Sequence, residues 1–365
     1  MKKMRIFGLA ALGVVWLALT FVAWFGPSGD VSDSERRQLA QFPELTIESV
    51  LDGNFMSDFE EYTLDQFPLR DTFRQLKAQI SYNVLRQGDN NGIYISEGFA
   101  AQLEYPLNES SVSNAVEKFN QIYETYLTES GNIVMTVVPD KGYYLAEQNG
   151  YPSMDYAAFF EAVREGTPWA AYVDITDCLS AGDYYFTDTH WRQEKITDAA
   201  ERLCGALGAA SFDARELAPN KIERPFYGVY YGQAALPMEA EDMYILENDV
   251  ISGCTVYNHE TGKTTSVYDM EKLGSRDLYD VYLSGAAALL TIENPDAASE
   301  RELIVFRDSF GSSLVPLLLK DYKAVTVVDI RYIAADLLAE FVDFHGQDVL
   351  FLYSTLVLNN SSSLK

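Results

Sequence analysis

The stretch LIVFRDSFGSS, residues 303–313, contains the pattern that predicts the fold of this chain. Its first four residues are apolar without interruption, which is typical of a strand buried on both faces of a parallel sheet. Similar runs are NIVMTVV at 132–138, AVTVV at 324–328 and VLFLY at 349–353. Helical stretches at 312–322 and 332–344 lie between the runs at 303–306, 324–328 and 349–353. This alternation of strands and helices predicts a right-handed, doubly wound α/β sheet.

The segments around these strands suggest a domain plan. Residues 26–90 are predicted to be a linker and a helical lead-in, in which DQFPLR at 65–70 ends one helix and begins another. Residues 91–365 are predicted to form the α/β domain. Residues from about 208 to 300 are rich in Tyr and Gly and have short alternating runs, so they are predicted to be a mainly β insertion.

The first 25 residues indicate export. A basic run, MKKMR at 1–5, precedes 20 uncharged residues from Ile6 to Phe25, and a helix of that length spans a bilayer core of roughly 30 Å. The basic flank predicts that the rest of the chain lies outside the cytoplasm. The apolar run exceeds the roughly 7–15 residues of the apolar h-region of a signal peptide, and no clear small-x-small cleavage site follows it. An uncleaved single-pass anchor is therefore favoured over a cleaved signal, which would make the protein secreted.

Composition excludes several classes of protein. Lys and Arg number 27 and Asp and Glu number 54, a net charge of −27, which excludes nucleic-acid binding and charge-driven binding to anionic lipids. Three cysteines are too few for a disulfide scaffold, and a Cys178–Cys204 pair stays open. The sequence has no metal-ligand cluster, and neither a metal nor a cofactor is expected.

The residues that follow strand 303–306 include a candidate nucleophile. Sites in open α/β sheets lie beyond the carboxyl ends of the strands, and Ser309 falls at such a strand-to-helix turn. Free backbone N–H groups at the start of the helix could stabilise an oxyanion there. Alternatively, Asp308, Ser309 or Ser312 caps the helix. The lipase-type GxSxG elbow is absent, because Arg307 occupies its first glycine position.

A second candidate block is YYFTDTHW at 184–191. Asp188 and His190 are two residues apart, and an extended segment would place both side chains on one face. A carboxylate beside an imidazole fixes its tautomer and stabilises the imidazolium. Alternatively, Asp188 or Thr189 caps the following helix and His190 is a surface residue. The other histidines, His259 and His345, are predicted to be structural.

These segments together resemble the DHHW family of bacterial exported proteins, and through it the periplasmic alginate O-acetyltransferase proteins with SGNH-hydrolase-like domains. The resemblance lies in the shared order and spacing of several short blocks. They are ERRQLA at 35–40 with FP at 42–43, DQFPLR at 65–70, VPDK at 138–141, DTHW at 188–191, FYG at 226–228, DLYD at 277–280, RDSF at 307–310 and DIRY at 329–332.

The resemblance implies a flavodoxin-like, permuted SGNH-type α/β fold and a Ser-His-Asp triad. In those acetyltransferases the Asp-x-His-Trp block supplies the acid and base and the Asp-Ser-Phe block the nucleophile, which maps to Asp188, His190 and Ser309. Gly285 lies where the family commonly has Gly-Asn and is a candidate oxyanion donor. Ala286 in place of that Asn would remove one donor, a loss of roughly 10²–10³ in rate.

The expected function is extracytoplasmic O-acetyl transfer or acetyl-ester hydrolysis on a cell-surface polysaccharide or cell-wall glycan, through an acetyl-serine. The resemblance also implies a membrane-bound acyltransferase partner of the MBOAT type. Lys141, Arg331 and Tyr332 follow strands and are candidates to hold substrate, although ordinary ion pairs explain the two basic residues equally. The alternatives are a catalytically inactive glycan-binding or scaffold subunit, and a structural envelope protein.

Overall fold

The computed structural model describes residues 2–32, 34–209 and 212–365, with only the backbone of residues 2–4. Met1 of the basic run and residues 210 and 211 of the predicted insertion lie outside the described residues. The chain forms two compact units. The first ends at Asn91 and includes Tyr231–Pro237, and the second comprises Gly92–Tyr230 and Met238–Lys365.

The first unit begins with one long apolar helix. Its segment Arg5–Phe25 has a mean hydropathy of 2.4 and is not buried against the protein, so it is long and apolar enough to span a membrane. This agrees with either a single-pass anchor or a signal sequence. The elements of this unit are α1 (Lys2–Phe25), β1 (Val31–Ser32), β2 (Arg37–Gln38), α2 (Ile47–Leu51), α3 (Asn54–Asp65) and α4 (Arg70–Gln79).

The predicted break at 65–70 is confirmed, because α3 ends at Asp65 and α4 begins at Arg70. The buried Asp65 carboxylate accepts a hydrogen bond from the Arg37 guanidinium at 2.7 Å, and Arg70 approaches its other oxygen at 3.4 Å. Two guanidinium groups therefore compensate a carboxylate that would be costly to bury alone.

The second unit is built on an eight-stranded sheet with the order β10-β9-β11-β13-β12-β14-β5-β6. The pairs from β13 to β6 are parallel, and the pairs from β10 to β13 are antiparallel. The strands of this unit are β3 (Ile93–Ser96), β4 (Phe99–Gln102), β5 (Ile133–Val138), β6 (Ala171–Tyr172), β7 (Ala218–Lys221), β8 (Tyr244–Glu247), β9 (Thr255–Asn258), β10 (Lys263–Ser266), β11 (Leu289–Glu293), β12 (Arg301–Arg307), β13 (Tyr322–Val328) and β14 (Asp348–Ser354).

The four apolar runs coincide with β5, β12, β13 and β14, which confirms the predicted α/β sheet. Alternate residues of β5 pack into different clusters, with Val134 and Val138 in one and Met135 and Val137 in the other. Both faces of the sheet are thus covered, which is why these strands are continuously apolar.

The helical segments that follow β12 and β13 are shorter than predicted. The 312–322 stretch contains only a four-residue helix, followed by a 3₁₀ segment at Val315–Asp321 whose Pro316 has no N–H to donate. The 332–344 stretch contains a 3₁₀ segment at Ala335–Glu340. The remaining helices are α5 (Glu109–Ile122), α6 (Lys141–Leu145), α7 (Tyr156–Gly166), α8 (Thr197–Ala206), α9 (Val229–Ala234), α10 (Asp249–Gly253), α11 (Gly311–Leu314) and α12 (Thr355–Asn359).

Two further predictions can be compared with the structure. The 208–300 region contributes β9, β10 and β11, which extend the main sheet in antiparallel fashion through the pairing of β11 with β13. Cys178, Cys204 and Cys254 are all free thiols, so the Cys178–Cys204 pair left open by the sequence is not formed.

Candidate functional site

The turn after β12 presents Ser309 at the carboxyl edge of the parallel strands. Asp308, which is wholly buried, fixes this turn: one carboxylate oxygen accepts the Phe310 N–H at 3.0 Å, and the other accepts the N–H and hydroxyl of Ser354 at 2.7 and 2.6 Å. Asp308 thereby joins the ends of β12 and β14, while Ser309 remains half-buried and accessible.

The structure brings Asp188, His190 and Ser309 together. His190 Nε2 lies 2.8 Å from Ser309 Oγ, and its Nδ1 lies 2.5 Å from Asp188 Oδ1. Asp188 is fully buried and His190 is 7% exposed. This is the order of contacts in which a histidine takes the proton of a serine while a carboxylate holds its other nitrogen.

The Asp188–His190 contact depends on a bend and not on the extended segment that the sequence suggested. Asp188 Oδ1 also accepts the backbone N–H of His190 at 3.0 Å, the local turn in which an Asp side chain bonds the backbone two residues on. Its Oδ2 accepts the Val229 N–H at 2.7 Å. Three donors thus orient the carboxylate. The bend brings the Asp188 carboxylate to the His190 ring, as the sequence predicted, but without an extended backbone.

Helix capping does not explain Ser309. No side chain caps α11, and the Phe310 N–H is satisfied by Asp308. The Ser309 hydroxyl contacts His190 instead. Within the described residues the Ser309 N–H has no acceptor, so it is available to an oxyanion formed at this serine.

Aromatic residues support His190 from one side. Its ring stacks on Tyr279 with centroids 3.9 Å apart and planes 8° from parallel. The Tyr279 hydroxyl donates to Ser313 Oγ at 2.7 Å, and Trp191 Nε1 approaches the same oxygen at 2.9 Å. Burial raises the pKa of Tyr279 well above its ordinary value, so the hydroxyl remains a neutral donor. Tyr279 belongs to the DLYD block, but no role was predicted for it.

Sequence reasoning also missed Glu241. Its buried carboxylate accepts the N–H of Phe186 at 2.6 Å, and the N–H and hydroxyl of Thr187 at 2.8 Å each. The Thr187 hydroxyl in turn accepts the Gly228 N–H at 2.8 Å. Glu241 therefore anchors the segment immediately before Asp188. No motif marks this residue, since its partners belong to Phe186 and Thr187, more than fifty positions away in the chain.

Lys141, predicted to hold substrate, lies inside the protein. It is 2% exposed, and its Nζ donates to the backbone carbonyl of Tyr185 at 2.8 Å and lies 5.1 Å from the centre of the Tyr230 ring. Burial lowers the pKa of Lys141 to about 7, an effect opposed chiefly by the negative charge of Asp188. Its amine thus faces the segment that carries Asp188.

Arg331 and Tyr332, the other candidates for substrate binding, differ in accessibility. Arg331 donates twice to Asp329, at 2.9 and 2.6 Å, and Asp329 also lies 3.5 Å from the buried Arg307. This is the ion pair at a strand end that the sequence left as the alternative. Tyr332 is 48% exposed and remains accessible to a ligand.

Gly285 has a structural reason to be glycine. Its φ is +85°, and a Cβ there would lie 2.3 Å from Asp280 Oδ1. The Gly285 N–H donates to the Tyr282 carbonyl at 3.1 Å, so this donor is occupied and the geometry gives no support to its predicted oxyanion role. Ala286 is exposed. Among the described residues, no group of three or more His, Cys, Asp or Glu side chains could hold a metal ion.

Known proteins share this architecture. Residues 176–328 match the model of the DHHW protein family. A DHHW family protein from Eubacterium siraeum is 20% identical, with 75% of this chain and 95% of that chain covered and a TM-score of 0.62. PatB1 from Bacillus cereus, solved with a sulfonyl adduct, is 15% identical, with 73% and 95% covered and a TM-score of 0.57.

A third solved structure, the O-acetyltransferase domain of AlgJ from Pseudomonas putida, is 13% identical, with 73% and 92% covered and a TM-score of 0.45. No curated protein sequence matches the chain significantly. The resemblance to the DHHW family predicted from the sequence is therefore confirmed by the family model, and the sheet that carries Ser309 has the α/β fold of the DHHW family protein and of PatB1.

Proposed function

We propose that this protein transfers or hydrolyses acetyl esters of a cell-surface polysaccharide outside the cytoplasm, through an acetyl-serine at Ser309. The observation that carries the proposal is the continuous hydrogen-bond chain from Asp188 through His190 to Ser309. The O-acetyltransferase resemblance and the SGNH-like fold support it. Nucleophile, base and orienting carboxylate are within contact distance without any rearrangement.

In the proposed mechanism, His190 removes the Ser309 hydroxyl proton as Oγ attacks the acetyl carbonyl. The Ser309 N–H stabilises the oxyanion, and Asp188 stabilises the imidazolium. Collapse of the tetrahedral intermediate breaks the bond to the donor oxygen, which takes the proton from His190. A sugar hydroxyl, deprotonated by His190, then attacks the carbonyl of acetyl-Ser309. The bond between the acetyl carbon and Ser309 Oγ breaks, and Oγ takes the proton from His190 to regenerate the free serine.

The acceptor decides the reaction class. Water in place of the sugar hydroxyl makes the protein an acetylesterase, so exclusion of water separates transfer from hydrolysis. The exposed Tyr332 is a candidate surface for sugar stacking. Because the net charge is −27, a neutral polysaccharide or cell-wall glycan is the favoured acceptor. An extracytoplasmic site has no acetyl-CoA supply, so a membrane acyltransferase of the MBOAT type is the proposed donor partner.

The direct test is to detect the acetyl-enzyme. The full chain in detergent is incubated with an activated acetyl ester, and intact mass and peptide mapping follow the label. We expect one added acetyl group on the peptide that contains Ser309, discharged faster by oligosaccharides than by water alone. An unlabelled Ser309 with no ester turnover would contradict the proposal.

One observation favours a second candidate, a non-catalytic glycan-binding or scaffold subunit. Because the Gly285 N–H is already bonded, the Ser309 N–H is the single oxyanion donor that the described backbone offers at this turn. Under this alternative, oligosaccharides bind but neither labelling nor turnover occurs. Binding in the absence of acetyl-enzyme would therefore select it.

Glu241 offers a prediction about positioning. We expect Glu241→Gln to lower kcat about 10²-fold with little change in KM, because an amide would point a donor at backbone N–H groups and displace the Asp188 segment. Glu239→Gln, an exposed change of the same kind two residues away, is the control. Equal activity of the two variants would remove the positioning role.

Lys141 offers a pH prediction. Its folded pKa of about 7 lies below its unfolded value, which is about 10.4, so the unfolded state binds more protons between these values and stability rises with pH. The contribution of neutral Lys141 to the stability of the fold is fully present above the unfolded pKa, and it is lost as the pH falls towards 7. Between pH 7 and 9 we expect the free energy of unfolding of the parent to rise by about 2 kcal/mol relative to that of Lys141→Met.

The measurement is the thermal unfolding midpoint of both proteins in detergent across this pH range. The difference between parent and variant isolates Lys141 from the cysteines and tyrosines, which titrate in both. Parallel pH profiles would show that the buried amine stays protonated, held by the Tyr185 carbonyl and the charge of Asp188.

A further inference from the structure

The first unit leaves an unusual amount of apolar surface uncovered just after the long N-terminal helix. Ile47 and Leu51 of α2 are 83% and 82% exposed, Met56 of α3 is 63% exposed, and Leu45 is 68% exposed. Scattered apolar residues are normal on soluble proteins, but a contiguous group within one short segment marks an interaction surface.

Helix α3 also contributes to a groove that the N-terminal helix itself helps to form. Phe42 packs edge-on against Phe59 and Tyr62 at 5.9 and 5.3 Å, and Trp24 of α1 lies 6.1 Å from Phe59. The cavity between them has a volume of about 260 Å³, and its lining includes Thr20, Trp24, Phe42, Phe59 and Tyr62.

The position of the groove along α1 identifies what fills it. A helical segment of 21 residues, Arg5–Phe25, matches the roughly 30 Å of a hydrocarbon core. Thr20 and Trp24 fall in its last turns, within roughly 8 Å of its outer end. At that depth the medium around a spanning helix is the boundary between acyl chains and headgroups, where tryptophan is enriched.

The charge pattern of α3 agrees with this placement. Phe55, Phe59 and Tyr62 recur at helical spacing on one side of α3, and Glu60 and Glu61 lie on the opposite side. An interfacial helix has such an apolar face and a charged face. Since the acidic residues would not attract anionic headgroups, the association depends on apolar area and not on charge.

We propose that α2, α3 and the groove beside Trp24 form a membrane-interface surface that lies in the outer leaflet and accepts a phospholipid acyl chain. The inference rests on the proposed anchoring of α1 and is independent of the proposed chemistry at Ser309. Its consequence is that the lead-in segment is held at the bilayer surface along its length and is not a free linker.

The test uses the full chain in phosphatidylcholine liposomes with an environment-sensitive fluorophore on Met56→Cys or, as the matched control, on Glu61→Cys. The labelled parent gives the background from the native thiols. We expect lipids brominated in their acyl chains to quench the probe at 56 roughly threefold more than the probe at 61. Addition of phosphatidylglycerol or high salt should leave this ratio unchanged.

Three results would overturn the proposal. Equal quenching at the two positions would show that residue 56 has no more contact with acyl chains than residue 61, and a blue-shifted but unquenched probe at 56 would show that a second copy covers the face. Removal of residues 1–25 in cells, seen in the intact mass, would destroy one wall of the groove. An Ile47→Cys probe repeats the measurement on α2 in case Met56→Cys does not reconstitute.

Discussion

Ser309→Ala is expected to abolish acetyl-enzyme formation and to lower kcat/KM for an activated acetyl ester by about 10⁴-fold or more. Alanine removes the hydroxyl oxygen that is proposed to form the ester bond, and it leaves His190 without its hydroxyl partner at 2.8 Å. The remaining rate would come from the backbone donor and from substrate binding.

The control is Ser312→Ala, a change of the same kind three residues later in α11, at a residue that the sequence allowed as a helix cap. If Ser309 were a cap, its loss would destabilise the fold by about 1 kcal/mol and leave chemistry little affected. If Ser309 is the nucleophile, we expect the reverse, namely that Ser309→Ala loses activity while its Tm is unchanged. Ester turnover that survives Ser309→Ala would refute the acetyl-serine.

Asp188→Asn is expected to lower kcat by about 10⁴-fold with the fold intact. In the parent the carboxylate accepts a hydrogen bond from Nδ1, which leaves Nε2 unprotonated towards Ser309. An asparagine amide can donate to Nδ1 instead, and this would place the imidazole proton on Nε2, where it blocks removal of the serine proton.

Thr189→Ala is the matched control, because Thr189 lies between the two residues and its hydroxyl accepts from Tyr230 at 3.1 Å, away from the His190–Ser309 contact. We expect its activity to stay close to that of the parent. The measurement is kcat for ester hydrolysis, with circular dichroism to verify folding. A loss below tenfold for Asp188→Asn would mean that Asp188 serves only to shape the bend.

The sequence was informative where chemistry is local. Continuous apolar runs predict strands covered on both faces, and such strands need helices on each side, so β5, β12, β13 and β14 were recognisable from composition alone. The position of Ser309 directly after one of these strands follows from the same argument, since the carboxyl edge of a parallel sheet is where side chains can converge.

What the sequence by itself determined is therefore the fold class, the long apolar N-terminal segment and the candidates Asp188, His190 and Ser309. Only the tertiary structure decided that His190 and Ser309, 119 positions apart, are in contact. It alone revealed Tyr279 and Glu241 and placed Lys141 in the interior. The physical reason is that stacking, burial and bonds to distant backbone groups depend on which segments the sheet brings together, and no short motif encodes them.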